Sequence, residues 1–267
     1  MVRQKLSRLK ANKASGPDEI NINILRKCLD FDIPLSIIFN KSIASGWRDA
    51  NVVPIYKKGT RTSCNNYRPI SLTSQIVKIL ERLVLDQMTM TLKSNNFFNC
   101  HQHGFQDQSS CITQLLECLQ DWTTNYDNKV GTDIVYLDFS KAFDKVPHIR
   151  LCHKLEQSGI RGNILLWLKN FLTNRKQRVL LRNGASNWLH VTSGVPQGSI
   201  LGPTLFLIYV NDIPEAISTS VKLFADDTKI YNDILDKHHV TGALARRGHA
   251  HHPLERSWIK RFEETYL

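Results

Sequence analysis

The feature that most constrains how this chain can fold is a pair of adjacent carboxylates, Asp226 and Asp227, inside the stretch VKLFADDTKIY. Apolar and polar residues alternate on both sides of the pair, as they do in half-buried β-strands. Aspartate is a poor strand former, and like charges this close repel by about 1–4 kcal/mol at a protein surface. The pattern therefore predicts two strands joined by a turn that presents both carboxylates.

A third carboxylate, Asp138, follows the apolar run IVYL, so we expect it at the end of a strand. If that strand neighbours the hairpin, three acidic side chains converge, which costs folding energy unless cations neutralise them. Mg²⁺ prefers carboxylate oxygens together with substrate phosphates, and two such ions about 3.5–4 Å apart serve in-line displacement at phosphorus. An Asp-Asp pair alone is more often a surface turn, and at this point that interpretation stays open.

The composition indicates a globular protein with a polyanionic partner. The 267 residues carry 35 Lys and Arg against 24 Asp and Glu, a formal net charge of +11, which favours nucleic acid as the partner. The six cysteines form no CxxC pair, as is typical of reduced intracellular thiols. The N-terminus lacks the apolar core of a secretory signal, and the longest apolar run, residues 200–210, is too short to span a membrane. We therefore expect a soluble intracellular protein, nuclear or cytoplasmic.

Apolar residues at helical spacing predict several helices. They are expected over Ile33–Ala44, from a cap at Thr73 or Ser74, over Ser110–Trp122, over Leu151–Leu172 with a break near Ser158-Gly159, and from Pro203 to about Tyr209. The helix over Ser110–Trp122 carries one apolar stripe, formed by Ile112, Leu115, Leu116, Leu119 and Trp122.

Strands interrupt these helices. One is expected at Asn51–Tyr56, where Pro54 indicates a sheet edge, a buried one at Asp133–Leu137, and a hairpin around Asn183-Gly184. Helices and hairpins in this irregular order predict an α+β fold, since a doubly wound parallel sheet alternates strand and helix regularly.

Seven stretches of the chain carry motifs in a fixed order. The central three are VYLDFSKAFDKVPH, SGVPQGSILGPTLFLIYVNDI and KLFADDTKIY, and those upstream are KASGPDEINI, GWRDANVVPIYKKG, NYRPISLTSQIVKILERL and HQHGFQDQSSCITQLL. Together they resemble the motifs of reverse transcriptases from non-long-terminal-repeat (LINE-type, jockey-like) retrotransposons. The resemblance covers about residues 11–231, and seven motifs in register are highly specific.

The resemblance implies a right-hand polymerase, with fingers over residues 1–132 and a palm over 133–234 whose antiparallel sheet packs on helices. It makes Asp138, Asp226 and Asp227 the catalytic, metal-binding carboxylates. It also implies a set of nucleotide-binding positions, namely Lys57, Lys58, Arg68, Phe143, Gln197 and Gly198.

Each nucleotide-binding assignment has a structural alternative. A guanidinium suits phosphate because its fork donates two parallel hydrogen bonds, but Arg68 also fits a structural ion pair. Phe143 stands where the family places a gate against a ribose 2′-hydroxyl, yet an ordinary core aromatic explains it equally well. Lys57-Lys58 fits a solvated basic turn, and Gln197-Gly198 fits a tight turn that opens the Pro203 helix.

The activity implied is that of an RNA-directed DNA polymerase with an RNA template, a DNA primer, deoxynucleoside triphosphates and two Mg²⁺ ions, or Mn²⁺ in their place. The first alternative is an inactive retroelement remnant that only binds nucleic acid. The second is an RNA-templated RNA polymerase, against which Phe143 and the FADD turn count. The sequence indicates no membrane partner and does not indicate an oligomeric state.

Two stretches depart from the family pattern. Gln106 and Asp107 stand where the family usually carries arginine or lysine, which removes positive charge near the template phosphates. After Tyr231 only 36 residues remain (267 − 231), and none of them resembles the rest of a palm or a thumb. We therefore expect a truncated copy with the thumb missing and a divergent tail over residues 235–267. A zinc site at His249, His251 and His252 is the alternative for that tail, but the spacing lacks a paired ligand cluster.

Overall fold

The computed structural model describes residues 1–11, 13–41 and 45–234. The chain divides into two compact units, each made of two separate stretches. Unit 1 comprises Met1–Phe97 and Phe143–Leu205; unit 2 comprises Phe98–Ala142 and Phe206–Leu267, of which 206–234 are described. The functional boundary predicted between residues 132 and 133 is not a boundary between these units and stays a prediction. The predicted tail, 235–267, lies outside the described residues.

The helices follow the predicted pattern closely. In chain order, the α-helices among the described residues are α1 (Val2–Ser7), α2 (Ile22–Lys27), α3 (Asp32–Lys41), α4 (Gln75–Ser94), α5 (Cys111–Asp127), α6 (His148–Gln157), α7 (Gly162–Leu172) and α8 (Gly202–Val210). Short 3₁₀ helices lie at Leu29–Phe31, Ser45–Arg48, Cys64–Asn66 and Pro214–Ala216. The break predicted near Ser158-Gly159 separates α6 from α7. Within the part of the chain that the structure describes, no helix is both long and apolar enough to cross a membrane.

The strands form two sheets that together confirm a mixed fold of sheets and helices. In chain order they are β1 (Ala50–Tyr56), β2 (Tyr67–Leu72), β3 (Gly131–Asp138), β4 (Arg175–Leu181), β5 (Gly184–Ala185), β6 (Leu189–Val191), β7 (Ser220–Phe224) and β8 (Asp227–Ile234). The sheet of unit 1 has the order β2-β1-β4-β5, with β6 also paired to β4, and the sheet of unit 2 has the order β3-β8-β7.

The edge position predicted for β1 is wrong, because β1 lies between β2 and β4. Its antiparallel pairing with β2 covers Asn51–Tyr56, whereas its parallel pairing with β4 covers only Ala50–Val52. Pro54 lies beyond that short parallel ladder and opposite Pro69. Proline is therefore tolerated in an interior strand here, because the strand has two paired neighbours along only part of its length.

The core of unit 1 includes a cluster between its N-terminal helices and α4. Val2, Leu6, Leu25, Leu35 and Ile79 belong to this cluster and are buried. The predicted cap of α4 is confirmed at Ser74, whose side chain accepts a hydrogen bond of 3.2 Å from the Ile76 backbone N–H. This bond satisfies one of the N–H groups that a helix start leaves without a partner.

In unit 2, helix α5 packs against β3 and β7, and four of the five residues of its apolar stripe are exposed, whereas Trp122 contacts the ring of Tyr231. Ile112 is 69% exposed and Leu116 59%, whereas Gln114 and Cys118 on the packed face are 2% and 0% exposed. The prediction of the helix is confirmed. Polar side chains of the packed face find partners in the sheet, as Gln114 does with Lys229 at 2.9 Å.

Strand β3 is confirmed as a strand, but it is half-buried rather than buried. Tyr136 on β3 is 64% exposed, and the burial of the strand alternates only towards its C-terminal end. One face of an antiparallel sheet commonly stays open to solvent. The strand therefore ends with Asp138 exposed, where a carboxylate can meet a ligand.

Candidate active site

The predicted Asp-Asp hairpin is confirmed, and its register brings the third carboxylate to it. Strands β7 and β8 pair from Ser220↔Tyr231 to Phe224↔Asp227, which leaves a two-residue loop of Ala225 and Asp226. On the other side of β8, Asp138 is the direct antiparallel partner of Asp227. Residues directly opposite in an antiparallel pair share a face of the sheet, with Cα atoms about 4.5–5.5 Å apart. Asp138 and Asp227 are thus neighbours, and Asp226 is adjacent along the chain.

The turn that carries Asp226 has a strained backbone. Ala225, the first loop residue, has a φ of +56°, a left-handed conformation that glycine adopts readily and alanine does not. A positive φ at this first position is typical of tight hairpin turns in which glycine is preferred. Such a residue costs of order 1–3 kcal/mol and persists only where its surroundings hold it.

The segment 101–104 provides those surroundings. The His103 N–H donates to the carbonyl of Leu223, and the Leu223 N–H donates to the carbonyl of His101, each at 2.9 Å. The Gln102 side-chain oxygen accepts from the Ala225 N–H, also at 2.9 Å. Sequence reasoning missed Gln102, because a single glutamine carries no periodic signal; its place in HQHGFQDQSSC was the one available clue.

Helix α5 supplies charged partners for the strands on its packed face. Lys222 on β7 donates to Glu117 at 2.5 Å, and this bond holds the pKa of the Glu117 carboxyl below its ordinary value. The Tyr231 hydroxyl on β8 donates to Asp121. Burial, together with this bond, raises the pKa of Tyr231 well above its ordinary value, so its proton stays in place. These pairs fix β7 and β8 against α5 and so fix the turn between them.

The three carboxylates are of the residue type that binds a divalent cation. Carboxylate oxygens are the ligands that Mg²⁺ prefers in proteins, and the register places Asp138 opposite Asp227. Among the described residues, no three side chains of His, Cys, Asp or Glu are gathered into a group that could hold a metal ion. The assignment of Asp138, Asp226 and Asp227 as metal ligands therefore stays a prediction.

The predicted nucleotide-binding residues Gln197, Gly198 and Phe143 lie in unit 1, in and around the loop before α8. The side-chain amide of Gln197 donates to the Asp144 carboxylate at 3.3 Å. The backbone carbonyl of Gln197 accepts from the Ser71 backbone N–H at 2.7 Å. Val195, two residues earlier, donates its N–H to the carbonyl of Phe143 at 2.8 Å. Phe143 and Asp144 are therefore joined by direct hydrogen bonds to Val195 and to Gln197 of the PQG loop (Pro196–Gly198), all within unit 1.

Gly198 is required by its backbone. Its φ is +109°, and a Cβ atom there would lie 2.7 Å from the carbonyl oxygen of Ser71. Any other residue would be both strained and in collision with the backbone of β2. The glycine therefore lets the loop approach β2 closely.

A polar cleft of about 200 Å³ lies next to this loop in unit 1. It is lined by residues of β1, β2, β4 and β6 and by residues of the loop. The residues that line it include Ser71, Asp144, Lys176, His190 and Gln197. Cations and hydrogen-bond donors in the lining of this cleft suit a polar or anionic ligand.

The predicted residues Lys57, Lys58 and Arg68 lie on the β1–β2 hairpin and are exposed. Arg68 on β2 is opposite Ile55 on β1, and both lysines follow the end of β1. The structure brings these three cations to one hairpin, where they are accessible to a phosphate.

Glu81, which sequence reasoning missed, anchors the other end of the PQG loop. It is fully buried in α4, and its carboxylate accepts from the backbone N–H of Ile200 at 2.6 Å and of Leu201 at 3.2 Å. Burial raises the pKa of Glu81, although these two bonds and nearby Arg175 oppose the rise. Arg175 is also buried, and burial lowers its pKa to about 10. A glutamate on the apolar face of a predicted helix was the signal that could have revealed it.

Comparison with known proteins identifies the family. The sequence model described as "Reverse transcriptase (RNA-dependent DNA polymerase)" matches residues 55–254, so the chain belongs to the reverse transcriptase family. It is 30% identical over 244 residues to the RNA-directed DNA polymerase from mobile element jockey of Drosophila melanogaster, covering 86% of this chain and 26% of that protein. It is also 30% identical to the probable RNA-directed DNA polymerase from transposon X-element of the same fly, covering 85% of this chain and 26% of that protein. The chain thus spans about a quarter of the length of these relatives.

Among solved structures, the fold is similar to that of telomerase from Candida tropicalis, determined in complex with a fragment of telomeric RNA. The TM-score is 0.53 at 10% sequence identity, and the match covers 78% of this chain and 40% of the telomerase chain. This likeness concerns the fold, and it agrees with the mixed α/β architecture described above.

Proposed function

We propose that this chain is the fingers and palm part of an RNA-directed DNA polymerase that extends a DNA primer on an RNA template. The observation that carries the proposal is the cross-strand pairing of Asp138 with Asp227 beside the turn at Asp226. We assign residues 1–132 to the fingers and 133–234 to the palm, as the family resemblance implies. The net charge of +11 supports a nucleic-acid substrate.

Reverse transcriptases work with divalent metal ions, and we assign Asp138, Asp226 and Asp227 to hold two Mg²⁺ ions, or Mn²⁺ in their place. When bound, such ions supply charge neutralisation at the reacting phosphate and at the attacking oxygen. The role of the chain is to position these carboxylates, which the sheet register of unit 2 does through its backbone hydrogen bonds.

We assign the residues of unit 1 to the deoxynucleoside triphosphate. Arg68 and the pair Lys57-Lys58 would donate to its phosphates, since all three are exposed on one hairpin. Gly198 lets the loop backbone approach the nucleotide, Gln197 would orient it, and Phe143 would exclude a ribose 2′-hydroxyl. Binding and orientation of this kind supply much of the rate enhancement in phosphoryl transfer.

The test is primer extension by the purified chain on an oligonucleotide-primed RNA template, with deoxynucleotides and Mg²⁺. We expect Asp226→Asn and Asp138→Asn each to reduce the rate at least about a hundredfold, because each tenfold loss corresponds to only about 1.4 kcal/mol of transition-state stabilisation. Asp127→Asn, an exposed position at the end of α5, is the matched control and should leave the rate unchanged. Equal extension by Asp226→Asn and wild type would overturn the site assignment.

The second candidate function, an inactive remnant that only binds nucleic acid, is supported by the net charge of +11, which suits a polyanion without requiring a metal site. It is distinguished in the same experiment. RNA binding that weakens steeply with salt, together with no extension on any template, would select it.

A further inference from the structure

We propose that Gln102 is a positioning residue, which holds the Ala225-Asp226 turn in the conformation that lets Asp226 and Asp227 act together on a metal ion. The metal-binding part of this inference rests on the proposed function. The hold of Gln102 on the turn rests on the geometry alone, so the two can be tested separately.

The buried side-chain oxygen of Gln102 accepts hydrogen bonds from two backbone N–H groups. The residue is 3% exposed, and its side-chain oxygen accepts from the Gly104 N–H at 2.7 Å and from the Ala225 N–H at 2.9 Å. A backbone N–H can only donate, so the atom that faces both groups must be the amide oxygen. Loss of this oxygen would leave two buried N–H groups without their acceptor, which is costly.

Gln102 contacts Ala225, the strained residue of the turn, and not a residue within a regular strand. Ala225 has a φ of +56°, and the Gln102 oxygen accepts from its N–H directly. A left-handed alanine needs an outside restraint, and this hydrogen bond is one that the side chain supplies. Asp226 follows immediately, so the orientation of its carboxylate depends on the backbone that Gln102 holds.

The backbone of the segment 101–104 lies directly against the turn. A Cβ atom on Gly104 would lie 2.3 Å from the Ala225 backbone nitrogen, so the two segments touch backbone to backbone. The bonds of His101 and His103 fix Leu223, two residues before Ala225. They would survive a change at Gln102, and only the turn itself would be released.

This reasoning predicts a specific coupling between Gln102 and Ala225. Gln102→Met keeps the volume of the side chain and removes the acceptor. Ala225→Gly removes the backbone strain that the acceptor opposes, since glycine adopts a positive φ without penalty. We therefore expect Ala225→Gly to rescue much of the defect of Gln102→Met, as two residues in direct contact show non-additive effects. A residue that only stabilised the fold would show no such rescue.

The first readout needs neither metal nor activity. Amide hydrogen exchange is followed by mass spectrometry in the full 267-residue chain, on peptides that contain residues 221–231. We expect Gln102→Met to speed exchange at the turn about tenfold, as the loss of a buried hydrogen bond implies, while peptides from α5 stay unchanged. Gln102→Asn, whose amide is one methylene shorter, is the milder variant and should show the same change if Gln102→Met does not fold. Gln120→Met, exposed on α5, is the control and should match wild type.

The second readout is Mn²⁺ binding, measured by the electron paramagnetic resonance signal of free Mn²⁺, alongside primer extension. We expect Gln102→Met to weaken Mn²⁺ binding about tenfold and to raise the metal concentration needed for half-maximal extension in proportion. The double variant with Ala225→Gly should recover to within about threefold of wild type.

The outcomes separate the two hypotheses. If exchange over residues 221–231 is the same in wild type, Gln102→Met and Gln102→Asn, Gln102 does not hold the turn and the inference is overturned. If exchange rises but Mn²⁺ affinity is unchanged in a wild-type chain that binds Mn²⁺, the positioning role is overturned as well. If the wild-type chain neither binds Mn²⁺ nor extends primers, the proposed function fails; exchange that rises and is reversed by Ala225→Gly would then still support the hold on the turn.

Discussion

Glu81 in α4 accepts a hydrogen bond of 2.6 Å from the backbone N–H of Ile200, 119 residues further along the chain. The same carboxylate oxygen accepts from Leu201, so one buried side chain satisfies two N–H groups at the start of α8. Arg175, itself buried, lies close enough to lower the pKa of Glu81 against the effect of burial. The loop that carries Gln197 and Gly198 is thereby tied to α4 at its C-terminal end and to β2 at Ser71.

We expect Glu81→Ala to lower the free energy of unfolding by about 2–6 kcal/mol, because it leaves the buried N–H groups of Ile200 and Leu201 without their acceptor. Glu81→Gln keeps an acceptor for the Ile200 and Leu201 N–H groups and should lose less. Urea denaturation followed by circular dichroism measures both changes. Glu156→Gln, at an exposed ion pair with Lys169, is the control and should produce no measurable change; a similar loss in all three variants would contradict the prediction.

The pH dependence of stability should carry the sign of a buried glutamate. Burial raises the pKa of Glu81 above its ordinary value of 4.5, so the folded state binds more protons than the unfolded state above that pH. The stability that the carboxyl contributes is therefore fully present below pH 4.5 and is lost as the pH rises through the folded-state pKa. Unfolding free energies of wild type and Glu81→Gln, compared from pH 4 to 8 at constant ionic strength, should show the wild-type advantage shrinking with pH. A constant or growing advantage would rule out this interpretation.

Gly198→Ala should distort the PQG loop. The substitution places a Cβ atom 2.7 Å from the Ser71 carbonyl oxygen at a φ of +109°, a strain of about 1–3 kcal/mol. We expect a matching loss of stability and, in primer extension, a KM for deoxynucleotides raised at least about fivefold. Gly184→Ala in β5, where nothing lies within 4 Å of the added atom, is the matched control. The prediction fails if both variants keep the wild-type KM.

The exposed stripe of α5 should tolerate polar substitution. Leu116 is 59% exposed, so Leu116→Gln should change the free energy of unfolding by no more than about 0.5 kcal/mol. Leu223→Ala, at a fully buried position in the same unit, should cost about 2–5 kcal/mol. Thermal or urea denaturation compares the two. A large loss for Leu116→Gln would show that this stripe is a packed face after all.

Phe143→Ala tests the gate that the family resemblance implies. Removal of the ring should admit a ribose 2′-hydroxyl, so the ratio of kcat/KM for ribonucleotides to that for deoxynucleotides should rise at least about tenfold. Single-nucleotide extension assays give this ratio. Phe105→Ala, at a ring that is 61% exposed, should leave it unchanged. An equal ratio in Phe143→Ala and wild type would favour the alternative, an ordinary core aromatic.

Local patterns in the sequence were sufficient for the elements that carry the site. The alternation around Asp226-Asp227 predicted the hairpin, and the Ser74 cap predicted the start of α4, because turns and caps depend on residues a few positions apart. Helix bounds agreed to within a few residues for the same reason. The positions of Glu81 and Gln102 were not predictable in this way, since their partners lie 119 and 123 residues away in the chain.

The wrong predictions share a cause. Pro54 indicated an edge, but β4 pairs with β1 only before that residue. The apolar run of β3 indicated a buried strand, but Tyr136 on that strand is 64% exposed. In both elements, the position in the sheet and the burial depended on which segments, distant in the sequence, pack against them. The periodicity of a single element does not contain this information.

By itself, the sequence determined that three aspartates stand at the end of one strand and in the turn of a hairpin, and that the chain carries the motifs of one polymerase family. Only the tertiary structure decided that Asp138 lies directly opposite Asp227 and that the Gln102 side chain accepts a hydrogen bond from Ala225 in the turn between β7 and β8. The physical reason is that alternation places a side chain on one face of its own strand, while the hydrogen-bond register between strands decides which side chain stands beside it.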